Sequence, residues 1–255
     1  MLAPQTGGHV MANFRTAERR FYLAFVLVIF AAVLLGFGRT FFLRAWFPEW
    51  VELHAPKEPY FLLHGTFAAA WFVTLIAQSS LITAGRVDLH RRLGTISMGL
   101  AAAVVVTGVA AAVIAARRPS GFIDIEAPPQ VFLAIPLLGL VPYAAFVALA
   151  YAYRRNAQAH KRLVLLASLS IISAAVIRWP FDTMFQPSPV PGYAVFDLAA
   201  LAFLLPLLAW DLTTLRRVHP ATLYGGLALV AIVPIIGLTS QTAAWFAFGD
   251  WVVGG

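Results

Sequence analysis

The sequence contains no cysteine and only two lysines, Lys57 and Lys161. The first absence excludes disulfide frameworks, thiolate metal sites, iron–sulfur clusters and cysteine nucleophiles. The second excludes a retinal-type Schiff base, which needs a lysine inside the last apolar run; both lysines sit in or beside loops. Charge is scarce as well. Only 11% of residues are charged and 61% are hydrophobic, whereas a soluble domain carries roughly 25% charged residues. A soluble core of this size cannot hide that excess, so the bilayer is the expected solvent. The P-loop, nucleophile-elbow and HExxH motifs are missing, as are the histidine clusters of membrane di-iron hydroxylases. No cleavable signal peptide is visible, because the first charged cluster, Arg15 to Arg20, comes late.

What is present is a series of long apolar runs. A helix needs about 20 mostly apolar residues to cross a hydrocarbon core. Seven runs qualify: Phe21–Gly38, Tyr60–Thr83, Leu93–Ala116, Val131–Tyr153, Leu163–Phe181, Tyr193–Trp210 and Ala221–Phe248. The fold class expected is therefore all-α, a polytopic transmembrane helix bundle of seven spans. Residues 1–20 read as a cytoplasmic N-terminal tail and 21–255 as a single transmembrane domain. The net charge of +7 is no sign of nucleic-acid binding, because the basic residues lie in short loops between spans. With the N-terminus cytoplasmic, twelve of the 18 Lys and Arg residues fall inside. Arg39, Arg44, Lys57, Arg117, Arg118 and Arg178 are left outside. The positive-inside rule then puts the N-terminus in the cytoplasm and the C-terminus outside. The expected location is the bacterial inner membrane, with the lipid bilayer as the constant partner. A membrane protein partner or a second copy is open.

Two packing signals stand out. Gly99, Ala103, Thr107 and Ala111 recur at steps of four in the third span, which predicts a seam for close helix approach. Pro136, Pro142, Pro206 and Pro234 lie inside spans, where each removes a helix hydrogen bond and favours a kink.

Ionisable and polar groups inside a bilayer are costly, so each is a functional candidate. His64, Trp71 and Gln78 recur every seven residues in the second span. They drift by only about 40° in all and share one face. That face is either a ligand and proton-handling stripe or hydrogen-bonding glue between helices. Arg39, His64, Arg178, Asp182 and Asp197 all fall near outer span ends. They form either a polar pocket or ion pairs that lock helices, and no spacing motif marks them as a metal site. His90 and His160 open the third and fifth spans, each followed by two cations. Two histidines from different helices with basic residues beside them suit a haem b and its propionates. Positive-inside anchoring accounts for the same residues without a cofactor. The strings Leu89-His90-Arg91-Arg92-Leu93 and Ala159-His160-Lys161-Arg162-Leu163 also echo each other 70 residues apart, as a parallel repeat of helix pairs would.

These residues resemble a family. The order His64-Gly65, Trp71, Gln78, His90-Arg91-Arg92-Leu93-Gly94, His160-Lys161-Arg162-Leu163 and Arg178-Trp179-Pro180 is similar to that of a group of uncharacterised bacterial integral membrane proteins. The shared signature is HG–W–Q–HRRLG–HKRL, and the likeness covers roughly residues 30–215. More loosely, the paired His-Arg helix starts resemble the DUF2306 membrane proteins and the cytochrome b561-type bundles. That likeness implies a helical membrane fold and assigns no activity.

Three functional readings follow. The first is a membrane redox protein holding haem b or a quinone through His64, His90 or His160. The second is a transporter of a small solute, ion or proton through the cluster of Arg178 and Asp197. The third is a non-catalytic membrane subunit or assembly factor. The first leads, because histidine is the one chemically versatile residue placed repeatedly at helix positions.

Overall fold

A computed structural model describes the backbone of residues 6–254, except Lys57 and Phe185, and the side chains from Arg15 onward. Its helices are α1 (Thr6–Phe37), α2 (Pro48–His54), α3 (Pro59–Thr83), α4 (Val87–Ala116), α5 (Pro129–Ala152), α6 (Ala157–Ser170), α7 (Ser173–Val176), α8 (Val195–Leu201), α9 (Leu204–Leu215), α10 (Pro220–Thr239) and α11 (Ala243–Val253). Among the described residues the one extended pairing is the isolated bridge between Pro187 and Ala194. Seven spans, Arg15–Phe42, Pro59–Thr83, Val87–Ala116, Pro129–Ala152, Ala157–Val176, Val195–Leu215 and Pro220–Thr239, are long and apolar enough to cross a membrane. This is the mark of a multi-pass membrane protein.

The spans follow the apolar runs in number and order, but the first, third and fifth start six residues earlier, at Arg15, Val87 and Ala157, and the sixth runs on to Leu215. The expected tail is helical from Thr6 as a continuation of α1; its first five residues lie outside the described ones, as does Lys57. The fifth span stops at Val176 rather than Phe181, and the seventh at Thr239 rather than Phe248. There α11 starts afresh, with the Thr242 hydroxyl accepting from the Trp245 amide at 3.2 Å, an N-cap that opens a new helix.

Two spans are interrupted and a third carries a proline within a continuous helix, each with a local account of its hydrogen bonds. Pro206 has no amide proton for the Ala202 carbonyl, four residues back. Leu205 bonds that carbonyl instead at 3.0 Å, and the chain breaks between α8 and α9. Pro234 likewise deprives the Val230 carbonyl of its helical donor, and the Tyr193 hydroxyl supplies a substitute at 2.7 Å. The break between α6 and α7 has no proline. Here Ser168 and Ser170 donate to the Val164 and Ala167 carbonyls at 3.0 and 2.7 Å, a back-bonding habit that bends helices.

The core is apolar and small-residue rich. Leu166, Ile172, Val176, Leu207 and Tyr143 are fully buried. The expected small-residue seam of α4 is met in part: Ala111 is buried and Ala103 and Thr107 are half-buried. Ala101, Val104, Gly108, Ala112 and Ala115 are buried, while Gly99 is exposed and a Cβ there would touch nothing within 4 Å. Steps of four drift around the helix, and Gly108 turns inward to seat the His64 ring: a Cβ on it would stand 3.1 Å from His64 Cε1.

The tightest approach is between α1 and α7. A Cβ at Gly36 would lie 2.1 Å from the Ala175 carbonyl oxygen, a backbone atom with little freedom to move. Gly36→Ala is expected to cost about 1–3 kcal/mol through overpacking, read as a lower unfolding midpoint in detergent. Gly99→Ala, on the open face, is the matched control and should leave the midpoint unchanged.

Candidate functional site

The second-span stripe faces inward and bonds to two neighbouring helices. Trp71 donates to Ser168 on α6 at 3.2 Å in a buried contact, and its ring meets the fully buried Tyr143 edge-on at 5.4 Å. Gln78 reaches Ser97 on α4 at 3.5 Å, the long limit of a hydrogen bond. His64 Nδ1 lies 3.0 Å from the Thr107 hydroxyl. Since Thr107 donates its own proton to the Ala103 carbonyl at 2.6 Å, His64 is the donor, and its Nε2 keeps a lone pair.

The outer cluster of the sequence does not assemble into ion pairs. Arg39 stacks on Trp50 at 4.8 Å. Arg178 is exposed, lies 4.9 Å over the Phe37 ring, and donates to the Ala174 carbonyl. Asp182 is exposed. Asp197 accepts from the Ala194 amide at 2.8 Å. No ion pair joins these four among the described residues. Cation–π contacts and backbone carbonyls satisfy the arginines in place of carboxylates.

At the end of the bundle where α4, α6 and α10 begin, which we term the basic end, the picture is different. His90 and His160 meet, with ring centroids 6.3 Å apart and planes at 86°. His160 Nδ1 lies 2.8 Å from the Ala150 carbonyl. A carbonyl only accepts, so Nδ1 carries the proton and Nε2 is left with its lone pair. The His90 Nδ1 is buried with no hydrogen-bond partner, and so is the nearby Gln78 Oε1. The His90 ring also lies against the Gln78 backbone, which acts on it as a hydrogen-bond acceptor; other buried polar atoms without a partner, such as the Tyr143 hydroxyl, lie elsewhere in the bundle. Arg91 and Arg92, next along α4, are exposed.

Beside this pair runs a charged network with two members that sequence reasoning missed. Arg162 and Asp211 are both fully buried. Arg162 Nε donates to Asp211 Oδ1 at 3.0 Å, and Nη2 donates to the same oxygen. Arg162 Nη1 donates to the Gln158 carbonyl at 2.9 Å and to its side-chain oxygen at 2.7 Å. Gln158 in turn donates to Glu18 on α1 at 3.1 Å, and Glu18 pairs with Lys161, which also lies 4.7 Å over the Tyr22 ring. Asp211 Oδ2 accepts from the His219 amide at 3.0 Å. The network ties α1, α6, α9 and the start of α10 together.

His219 closes it. Its Nδ1 accepts from the Ala221 amide at 3.1 Å and caps α10. Burial first, then the Arg162 charge, holds its imidazole below the ordinary histidine value; Lys161 and Arg217 act in the same direction, and Asp211 against it. The folded protein thus resists a proton that the unfolded chain takes up near pH about 6.5. Stability is full above that pH and falls as pH drops below it toward the lowered folded value. Unfolding midpoints measured from about pH 8 to about pH 5 should show this fall. His219→Asn, which keeps a capping acceptor and cannot titrate, is expected to flatten it. Compared with known proteins, the chain matches no family model, no curated protein and no solved structure.

Proposed function

We propose that this chain is a membrane electron carrier that holds one b-type haem between His90 and His160. In this reading the basic end faces the cytoplasm of a bacterial inner membrane, by the excess of arginine in its short loops. The observation that carries the reading is the meeting of the two imidazoles across α4 and α6.

The donor set suits haem better than a bare ion. Closed metal sites take about four protein ligands, and no group of three or more His, Asp or Glu gathers among the described residues. His90 and His160, with ring centroids 6.3 Å apart, are the two side chains that would hold a haem, whose iron takes histidine ligands. Bound haem would supply one-electron transfer.

The chain's own residues set the conditions. The Ala150 carbonyl fixes the His160 tautomer and aims its Nε2 away from the α5 end, the usual way a protein orients an axial imidazole. His90 brings a buried ring whose Nδ1 lacks a partner. Arg91 and Arg92 offer cations to propionates. Lys161 is held by Glu18 and is spoken for.

Protein purified from haem-sufficient cells is expected to carry about one haem per chain by the pyridine haemochrome assay. Haem-free protein from those cells would overturn the proposal.

A further inference from the structure

Far from the histidine pair, a cavity of about 280 Å³ lies between α5, the α6–α7 break, α8 and α10. Its walls are mostly apolar, among them Phe132, Phe196 and Leu229, and it is lined by one charged residue, Asp197. Interrupted spans that border a cavity are a recurring way to expose polar groups at membrane depth, because irregular backbone is tolerated only where it is buried or lines a cavity. Here both the fifth and the sixth spans are interrupted.

The chemistry of the lining is acceptor-rich. Asp197 uses Oδ2 for the Ala194 amide, its one hydrogen bond among the described residues. No cation pairs with this carboxylate among the described residues. Ser170 commits its proton to the Ala167 carbonyl at 2.7 Å and so turns lone pairs to its other neighbours, whereas Ser240 donates to the Gly237 carbonyl at 2.8 Å and already accepts from the Gln241 side-chain amide at 3.4 Å. Asp197 is half-buried near one end of its span, and a carboxylate held against apolar walls without a counter-ion favours a cation beside it. The volume lies just below that of ordinary ligand sites, about 300–1,000 Å³, so the ligand must be small.

We infer that this cavity binds a small organic cation, an ammonium head on a compact apolar body, with Asp197 as counter-ion and the apolar walls covering the body. This goes beyond the haem reading and shares no residue with it. It accords with a role in moving such a solute.

The test is isothermal titration of the full chain in detergent with 2-phenylethylammonium chloride and with neutral 2-phenylethanol. The cation is expected to bind saturably at one site, about tenfold or more tighter than the alcohol. Asp197→Asn still offers an oxygen to the Ala194 amide and should weaken the cation about tenfold. Gly139→Leu, at a half-buried position that lines the cavity and where a Cβ meets nothing within 4 Å, leaves Asp197 intact and should weaken binding about tenfold or more. Equal affinity for cation and alcohol, unchanged binding in Asp197→Asn, or no saturable binding to the wild type would each overturn the inference. So would an acyl lipid retained in the cavity by native mass spectrometry together with no amine binding.

Discussion

Arg162→Met is expected to lose about 3–5 kcal/mol of stability, enough to unfold much of the protein in mild detergent. The reason is not the worth of the Arg162–Asp211 pair itself. Two buried charges have already forfeited their hydration, and the attraction between them does little more than offset that loss. Removing one partner leaves the other fully buried and uncompensated. Asp211→Asn should be harmful for the same reason, since Arg162 keeps only the Gln158 oxygens. The double variant Arg162→Met/Asp211→Asn removes both charges and preserves an acceptor for the His219 amide. It is expected to recover most of the loss, giving a coupling energy of the same order as the single effects in a double-mutant cycle. Urea or thermal unfolding of the four proteins in one detergent measures it. Additive losses would show that the two side chains do not act as a pair.

Loss of either imidazole proposed to hold the haem is the second large effect expected. His90→Ala and His160→Ala are each expected to reduce retained haem roughly tenfold or more, because one remaining ligand holds the iron poorly. His64→Ala is expected to leave haem content unchanged. Its ring is engaged with Thr107 and seated over Gly108 on α4, well along that helix from His90. The three variants therefore separate a haem ligand from a histidine that merely joins helices.

The membrane class was legible in the sequence because hydropathy over about 20 residues is set by the solvent and not by packing detail. The His64–Trp71–Gln78 stripe was legible for a similar reason: a seven-residue step fixes a face whatever lies opposite. Places where the backbone leaves the helix were harder to read. Pro206 and Pro234 announced themselves, but the α6–α7 break comes from serine hydroxyls competing for carbonyls, and Ser168 and Ser170 read as ordinary span residues. The small-residue seam was legible only in part: Ala111 is buried and Ala103 and Thr107 are half-buried, but steps of four precess around the helix and leave Gly99 on the open face.

The site was only half visible. That His90 and His160 share a helix-start position could be read; that they touch could not, because contact depends on how α4 and α6 cross. Arg162 was hidden by its company. One more cation at a basic helix start looks like an anchor, and nothing local separates it from Lys161. The signal available was Asp211, an acid at the end of a span on the side rich in arginine. A carboxylate there is where an opposing buried cation should have been sought.

The most direct test of the haem assignment is the reduced-minus-oxidised visible spectrum of the purified protein and its three histidine variants. The account predicts sharp Soret and α bands in wild type and His64→Ala, and their loss in both His90→Ala and His160→Ala. A flat wild-type spectrum from haem-sufficient cells, or bands that survive both substitutions, would contradict it.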